Sequence, residues 1–156
     1  MPMTRPLSPG KIIFFGLIAL LLALIVAQNK ISSSTERIPY QDAERVAEGR
    51  ALYNENCASC HGIQLKGEAD WQKRDANGFL PAPPHDMTGH TWHHPDKLLF
   101  TLTHSGVQAI AGPDYVSKMP AFKEQLSEHQ IWSILAYIKS TWPDEVKKRH
   151  DALNDQ

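Results

Sequence analysis

The chain has 156 residues, which is enough for one domain and an appendage. Its 16 basic and 17 acidic residues give a formal net charge of −1. This near balance lacks the basic stripe that nucleic acid requires, so we expect no nucleic-acid partner.

An uncharged apolar segment, residues 12–27, follows a short N-terminus, residues 1–11, that carries Arg5 and Lys11. As a helix it would span about 24 Å, short of the roughly 30 Å hydrocarbon core but long for the apolar h-region of a signal peptide. We favour a membrane anchor over a signal removed after Ala27, because the residue three positions before that cleavage point is bulky. The positive charges predict a cytoplasmic N-terminus and an exported remainder, periplasmic in a bacterium. Signal cleavage would instead give a soluble periplasmic protein.

Three further regions follow the apolar segment. Residues 28–40 are polar and without periodicity, which predicts a tether. Residues 41–143 form the predicted folded domain. Residues 144–156 lack a sustained apolar stripe, so we expect a polar C-terminal tail that is solvated or frayed.

The first predicted helix of the domain leads to a short cysteine motif. Asp42 can cap a helix that runs to this motif, and Gly49 within it indicates close approach by another element. Cys57, Cys60 and His61 then form the sequence Cys-Ala-Ser-Cys-His. Such a motif suits one covalent haem c, whose vinyl groups form thioethers with the two cysteines and whose iron binds the histidine.

Two other readings of the cysteine motif are weaker. A redox dithiol of the thioredoxin type belongs in a βαβ unit, and no strand-like pattern precedes Cys57. A zinc site needs two further ligands at suitable spacing, and the chain has no other cysteine to supply them.

A proline-rich segment, Leu80-Pro81-Ala82-Pro83-Pro84, follows a charged, glycine-broken loop. Prolines donate no backbone hydrogen bond, so their carbonyls stay free to accept one. An iron-bound histidine needs such an acceptor for its second ring nitrogen. We therefore expect the carbonyl of Pro83 or Pro84 to accept a hydrogen bond from the His61 ring.

Residues 85–94 hold four of the eight histidines. We interpret this stretch as a loop over the haem, in which Trp92 or a histidine bonds a propionate. The alternative is a second metal site, such as copper, because imidazole and thioether occur together. Its ligands would come from His85, Met87, His90, His93 and His94.

The next predicted helix runs from Pro95 to Ser105, and Gly106 ends it. Residues 107–118 lack periodicity, which predicts a long loop that presents Met119 beside Pro120. A soft thioether on such a loop suits a second axial iron ligand, whereas a gap-filling core side chain is the alternative.

The last predicted helix begins at a capping box formed by Ser127 and Gln130. It runs through QIWSILAYIKS and stops before Pro143. Ile131, Ile134, Leu135 and Ile138 give it one apolar face.

Over about Gln41 to Trp142 the chain resembles the class I, mitochondrial-type c-type cytochromes with one haem, in a membrane-anchored bacterial form. The likeness rests on Gly49 and Tyr53 before the haem motif, on Lys118-Met119-Pro120-Ala121-Phe122, and on Ile134-Leu135-Ala136-Tyr137. It implies an all-α fold packed around one covalent haem with an exposed edge, preceded here by the hydrophobic helix.

The resemblance also implies the contacts of the haem domain. The last helix should cross the first at Gly49. The implied axial ligands are His61 and Met119, and a proline carbonyl should bond His61.

These features predict a one-electron carrier rather than an enzyme, working alone or as a subunit of a larger oxidoreductase. Its partners would be redox proteins or a membrane oxidoreductase. Three alternatives stay open: a haem enzyme or sensor with an open sixth position, a copper-handling protein, and a carrier with two axial histidines. In the last case the second ligand would be His85, His90, His93 or His94.

Overall fold

The computed structural model describes residues 37–155, and all the regular secondary structure in this part of the chain is helical. Its α-helices are α1 (Ala43–Asn56), α2 (Ala58–His61), α3 (Asp96–Ser105), α4 (Gln108–Ala111), α5 (Glu128–Ser140) and α6 (Asp144–Leu153), with a short 3-10 helix at Thr91–His93. No β-strand occurs between residues 37 and 155, so the predicted all-α fold is confirmed.

The predicted N-terminus, membrane segment and most of the tether lie outside the described residues. Among the helices of residues 37–155, none is both long enough and apolar enough to cross a membrane.

Helix α1 begins as the sequence predicts and packs across α5. The Asp42 carboxylate accepts hydrogen bonds from the backbone N–H groups of Glu44 and Arg45, at 3.0 and 3.2 Å. At Gly49 the backbones of α1 and α5 come so close that a Cβ would lie 1.8 Å from the Ser133 carbonyl oxygen. Only glycine fits there, which confirms that Gly49 permits the close crossing.

The predicted cap of α5 is present, and its apolar face forms the core. Ser127 Oγ accepts from the Gln130 N–H, and the Gln130 side chain accepts from the Ser127 N–H. The predicted apolar face of α5 is buried: Ile131, Ile134, Leu135 and Ile138. Tyr53 of α1 and Leu99 of α3 are buried as well. The α1–α5 pair is thus the centre of the domain.

Helix α3 ends at Gly106, as predicted, but it starts at Asp96 with Pro95 as its cap. Gly106 has φ +83°, a conformation that favours glycine. The expectation of a continuous loop over residues 107–118 was wrong, because Gln108–Ala111 form the single turn α4. No residue of α4 is buried, so the turn left no apolar periodicity in the sequence.

The prediction of a solvated or frayed C-terminal tail was also wrong. Residues Asp144–Leu153 form α6, and two of its side chains one turn apart, Val146 and His150, are buried. The His150 ring meets Trp142 edge to face, with centroids 5.0 Å apart. Two buried side chains form a stripe too narrow to produce a recognisable helical periodicity in the sequence.

A buried ionic cluster joins α6 to α3 and α5. Lys139 of α5 is only 1% exposed, and its Nζ lies 2.6 Å from Asp151 Oδ1 and 4.0 Å from Asp96 Oδ1. His150 Nε2 lies 2.9 Å from the His94 carbonyl oxygen and 3.5 Å from Asp96 Oδ1. Pairing makes burial of these charges possible, since an unpaired buried charge is strongly destabilising.

The same cluster holds the segment that precedes α1. The Ile38 N–H donates to Asp96 Oδ2 at 3.0 Å, and Ile38 is buried. The Tyr40 hydroxyl donates to Asp151 Oδ2 at 3.0 Å, and Arg37 bonds the Asn154 carbonyl oxygen at 2.7 Å. The compact unit therefore begins at Arg37, earlier than the predicted end of the tether at residue 40.

We expect acid to weaken the attachment of α6 through His150. Burial, and then the Lys139 charge, lower the pKa of His150 in the folded protein despite the opposing effect of Asp96. The unfolded chain binds the proton near the ordinary value of about 6.5. The contribution of His150 to the free energy of unfolding is therefore fully present above that pH and is lost as the pH drops below it.

The free energy of unfolding of the haem-loaded protein, measured at about pH 7.5 and about pH 5.5, tests this effect. His150→Gln should give a shallower decline than the wild type, by at most about 1.4 kcal/mol per pH unit for one proton. His93→Gln, at an exposed position, is the control and should keep the wild-type slope. Equal slopes for wild type and His150→Gln would contradict the prediction.

Candidate functional site

The two cysteines and His61 lie on one tight turn after α1. The Cys57 N–H donates to the Tyr53 carbonyl at the end of α1, and the His61 N–H donates to the Cys57 carbonyl, both at 2.9 Å. Neither Cys57 nor Cys60 is in a disulfide; Cys57 is partly buried and Cys60 is exposed. Both sulfurs are thus available as thiols on the turn that carries the imidazole.

The His61 ring has one nitrogen engaged and one left over. Its Nδ1 lies 2.8 Å from the Pro83 carbonyl oxygen, which can only accept, so Nδ1 carries the proton and donates. Nε2 keeps its lone pair, and no residue of the described part of the chain hydrogen-bonds it. Burial lowers the pKa of His61, although the Pro83 bond and Glu68 act in the opposite direction. A neutral imidazole with a free Nε2 is the form that binds a metal.

Pro83, rather than Pro84, is the acceptor for His61. The Pro84 carbonyl instead faces the Thr91 hydroxyl at 3.4 Å. Gly67, with φ +64°, lets the loop after His61 run against this proline segment, since a Cβ there would lie 2.5 Å from the Ala82 carbonyl oxygen. A hydrogen bond of 2.8 Å from the Gly67 N–H to the His61 carbonyl closes the arrangement. The donor set of this region fits a covalently attached c-type haem.

His85 lies against the face of the His61 ring, a contact that the sequence did not reveal. The ring centroids are 4.0 Å apart and the planes differ by 26°. Two axial imidazoles on one iron would approach it from opposite sides with their Nε2 atoms, rather than stack face to face. His85 is therefore excluded as the second axial ligand in this arrangement.

The rest of the histidine-rich stretch makes protein contacts. His90 stacks on Trp71 at 5.2 Å between centroids and meets His94 edge to face at 5.3 Å. Within residues 37–155, no group of three or more His, Cys, Asp or Glu side chains is placed to hold a metal ion. The described part therefore contains no such cluster for the copper site considered as an alternative.

Trp92 has its indole donor already engaged. Its Nε1–H donates to the Met87 carbonyl at 3.3 Å, and its ring stacks on His93 at 3.6 Å. In the same loop the Asp86 carboxylate accepts from the Thr88 N–H at 2.8 Å. The contact of Trp92 with a haem propionate stays a prediction.

The loop that carries Met119 is fastened on both sides. The Met119 N–H donates to Ser117 Oγ at 3.1 Å, and Lys118 Nζ lies 3.0 Å from Asp75 Oδ2. Beyond it, the Phe122 N–H donates to the Thr103 carbonyl of α3 at 3.1 Å. The Met119 side chain is partly buried and packs against the core. The pairing of Asp75 with Lys118 joins residues far apart in sequence, so no local pattern pointed to it.

Comparison with known proteins identifies the family. The family model described as "Cytochrome C oxidase, cbb3-type, subunit III" matches residues 44–138. A cbb3-type cytochrome c oxidase subunit CcoP of Azospirillum brasilense is 31% identical over 97 residues, which are 62% of this chain and 28% of that protein. The subunit of the same name from Azospirillum sp. (strain B510) is 33% identical over 98 residues, or 62% and 29% of the two chains.

The matched region sets the extent of this relationship. The chain spans less than a third of the length of these curated relatives. No solved structure matches the chain significantly. The matched residues include the turn from Cys57 to His61, Pro83 and the Met119 loop, and a cytochrome c domain transfers electrons through a c-type haem. The chain therefore belongs to the family of cytochrome c oxidase, cbb3-type, subunit III, and is an electron-carrying c-type cytochrome.

Proposed function

We propose that this protein is a one-electron carrier with a single covalent haem c, which works on the exported side of a bacterial membrane with a cbb3-type oxidase. The observation that supports this proposal most strongly is the state of His61, whose Nδ1 donates to Pro83 while Nε2 stays free. The chain also contains only one cysteine motif of this kind.

The residues of the chain have separate roles in this proposal. Cys57 and Cys60 would hold the haem through thioethers, and His61 and Met119 would be the ligands of its iron. Pro83 orients His61 and increases its strength as a donor. The bound haem would supply the one-electron Fe(III)/Fe(II) chemistry. As an iron ligand, the soft sulfur of Met119 would favour Fe(II) and raise the reduction potential relative to two histidines.

The N-terminal part of the chain would keep the carrier near its partner. In this proposal residues 12–27 anchor the protein in the membrane, and the polar residues that follow connect the anchor to the haem domain at Arg37. A flexible tether of about ten residues reaches about 15 to 20 Å, which confines the domain to the membrane surface. Confinement raises the effective concentration at a membrane-bound oxidase. The curated relatives carry the name of such an oxidase subunit, which supports this choice of partner.

The proposal is tested on the full chain produced in a bacterium that attaches c-type haem. We expect one iron per chain, a reversible one-electron titration, and re-oxidation of the reduced protein by oxygen only when membranes with a cbb3-type oxidase are added. Carbon monoxide should not bind the reduced protein, because both axial positions are filled. A carbon monoxide adduct, or re-oxidation that is equally fast without the oxidase, would contradict the proposal.

A further inference from the structure

We propose that His85 is a positioning residue that sets the orientation of the His61 ring at the haem, an inference that rests on the proposed function. The two rings lie face to face, with centroids 4.0 Å apart and planes inclined by 26°. This contact requires no charge on His85. It requires a flat side chain held firmly in place.

The hydrogen bond to Pro83 leaves one motion of His61 weakly restrained. An imidazole bound through Nε2 can turn about the bond to its metal, and Nδ1 lies close to that axis. Because a carbonyl oxygen accepts over a broad range of directions, the 2.8 Å bond to Pro83 resists this turning only weakly. A ring stacked on the face of His61 opposes it directly, since turning would drive one ring edge into the neighbour.

His85 is itself fixed from several directions. Its Nδ1 lies 2.8 Å from the Oγ1 of Thr91, which is buried. The backbone N–H of His85 donates to the Leu65 carbonyl, and the backbone carbonyl of His85 accepts from Trp142 Nε1–H, both at 2.7 Å. The Tyr53 ring meets it edge to face at 6.4 Å. A side chain restrained in this way can transmit its orientation to the ring it touches.

The position of His85 in the chain strengthens this role. Pro83 and His85 are two residues apart on the segment that passes His61, so one segment supplies both the hydrogen-bond acceptor and the stacking ring. Thr91 supports this segment, because its Oγ1 lies 2.8 Å from His85 Nδ1 and 3.4 Å from the carbonyl oxygen of Pro84, the residue between Pro83 and His85. The hydrogen bond and the stacking contact to His61 are therefore both supplied by one short stretch of chain.

Electron paramagnetic resonance of the oxidised, haem-loaded full chain tests the proposal, because the g-values of low-spin ferric haem depend on the orientation of the axial ligand planes. We expect His85→Ala to shift the g-values and broaden the signal, and also to lower the reduction potential, since water replaces the ring beside His61. His85→Phe, which restores a flat ring, should return the g-values towards those of the wild type. Thr91→Val, which keeps His85 but removes its hydroxyl partner, should cause a smaller shift.

The outcomes separate this proposal from the function on which it rests. Wild-type g-values in His85→Ala, or an equally large shift in His85→Phe, would overturn it. If His85→Ala does not accumulate, unchanged g-values in Thr91→Val would overturn it. A wild-type chain without low-spin haem would refute the proposed function, and the inference with it, whereas low-spin wild-type haem that is insensitive to all three substitutions refutes the inference alone.

Discussion

Replacing Gly49 with alanine is expected to prevent the haem domain from folding stably. The added Cβ would lie 1.8 Å from the carbonyl oxygen and 2.4 Å from the carbonyl carbon of Ser133, which are backbone atoms of α5. Helices α1 and α5 would have to separate, and the core between them would open. Overpacking of a core usually destabilises by about 1–3 kcal/mol, and a clash with backbone should reach or exceed the upper end of this range.

Denaturant unfolding followed by circular dichroism measures this effect. Alanine in place of glycine within a helix would alone stabilise by up to about 1 kcal/mol, so a net loss must come from the crossing. Asn54→Ala, at an exposed position of the same helix, is the control and should stay within about 0.5 kcal/mol of the wild type. Wild-type stability of Gly49→Ala would show that the crossing is looser than the structure indicates.

Replacing both Cys57 and Cys60 with alanine should abolish covalent haem attachment. The two thiols are the only ones in the chain, so no other residue can form a thioether. Each single substitution should leave one possible bond, with a lower yield of loaded protein. Because the haem contributes apolar surface to the core, the unattached double variant should also be less stable than the wild type.

Mass spectrometry of the denatured protein checks the attachment directly. The wild type should carry the mass of one haem after denaturation, and the double variant should carry none. Ser59→Ala lies between the cysteines and is the matched control, which should keep the haem. Covalent haem in the double variant would mean that the attachment site has been misassigned.

The sequence was informative where the structural cause is local. The Asp42 cap and the Ser127–Gln130 capping box each involve residues within one helical turn, and both are present. Gly106 likewise ends α3 through its own backbone conformation. The close approach at Gly49 was predicted because glycine within a helix is unfavourable unless something needs the space.

The sequence was uninformative where the partner is distant along the chain. Helix α6 is held by Lys139 and Asp96, and its own residues looked like a polar tail. Ile38 seemed part of a tether because its partner, the Asp96 carboxylate, lies 58 residues away. Such pairings depend on how the helices pack, which neither periodicity nor composition encodes.

The candidate site likewise contains features with local causes, which the sequence predicted, and contacts between distant residues, which it did not. Adjacent residues defined the haem motif, and the need of an iron-bound histidine for an acceptor pointed to the proline segment. The choice of Pro83 over Pro84 and the stacking of His85 on His61 depend on the path of the loop through Gly67. The position of Met119 on a loop beside Pro120, and then the likeness to c-type cytochromes, pointed to Met119, whose role as iron ligand stays a prediction.

The absorption spectrum of the oxidised, haem-loaded protein, recorded beside Met119→Ala and Met87→Ala, tests the central claim most directly. Met87 is 53% exposed and is the other methionine of residues 37–155, so it serves as the matched control. Ligation by His61 and Met119 predicts the weak long-wavelength band of methionine sulfur on ferric haem in the wild type and in Met87→Ala, and its loss in Met119→Ala. A wild-type spectrum without that band, or a band that persists in Met119→Ala, would contradict the account.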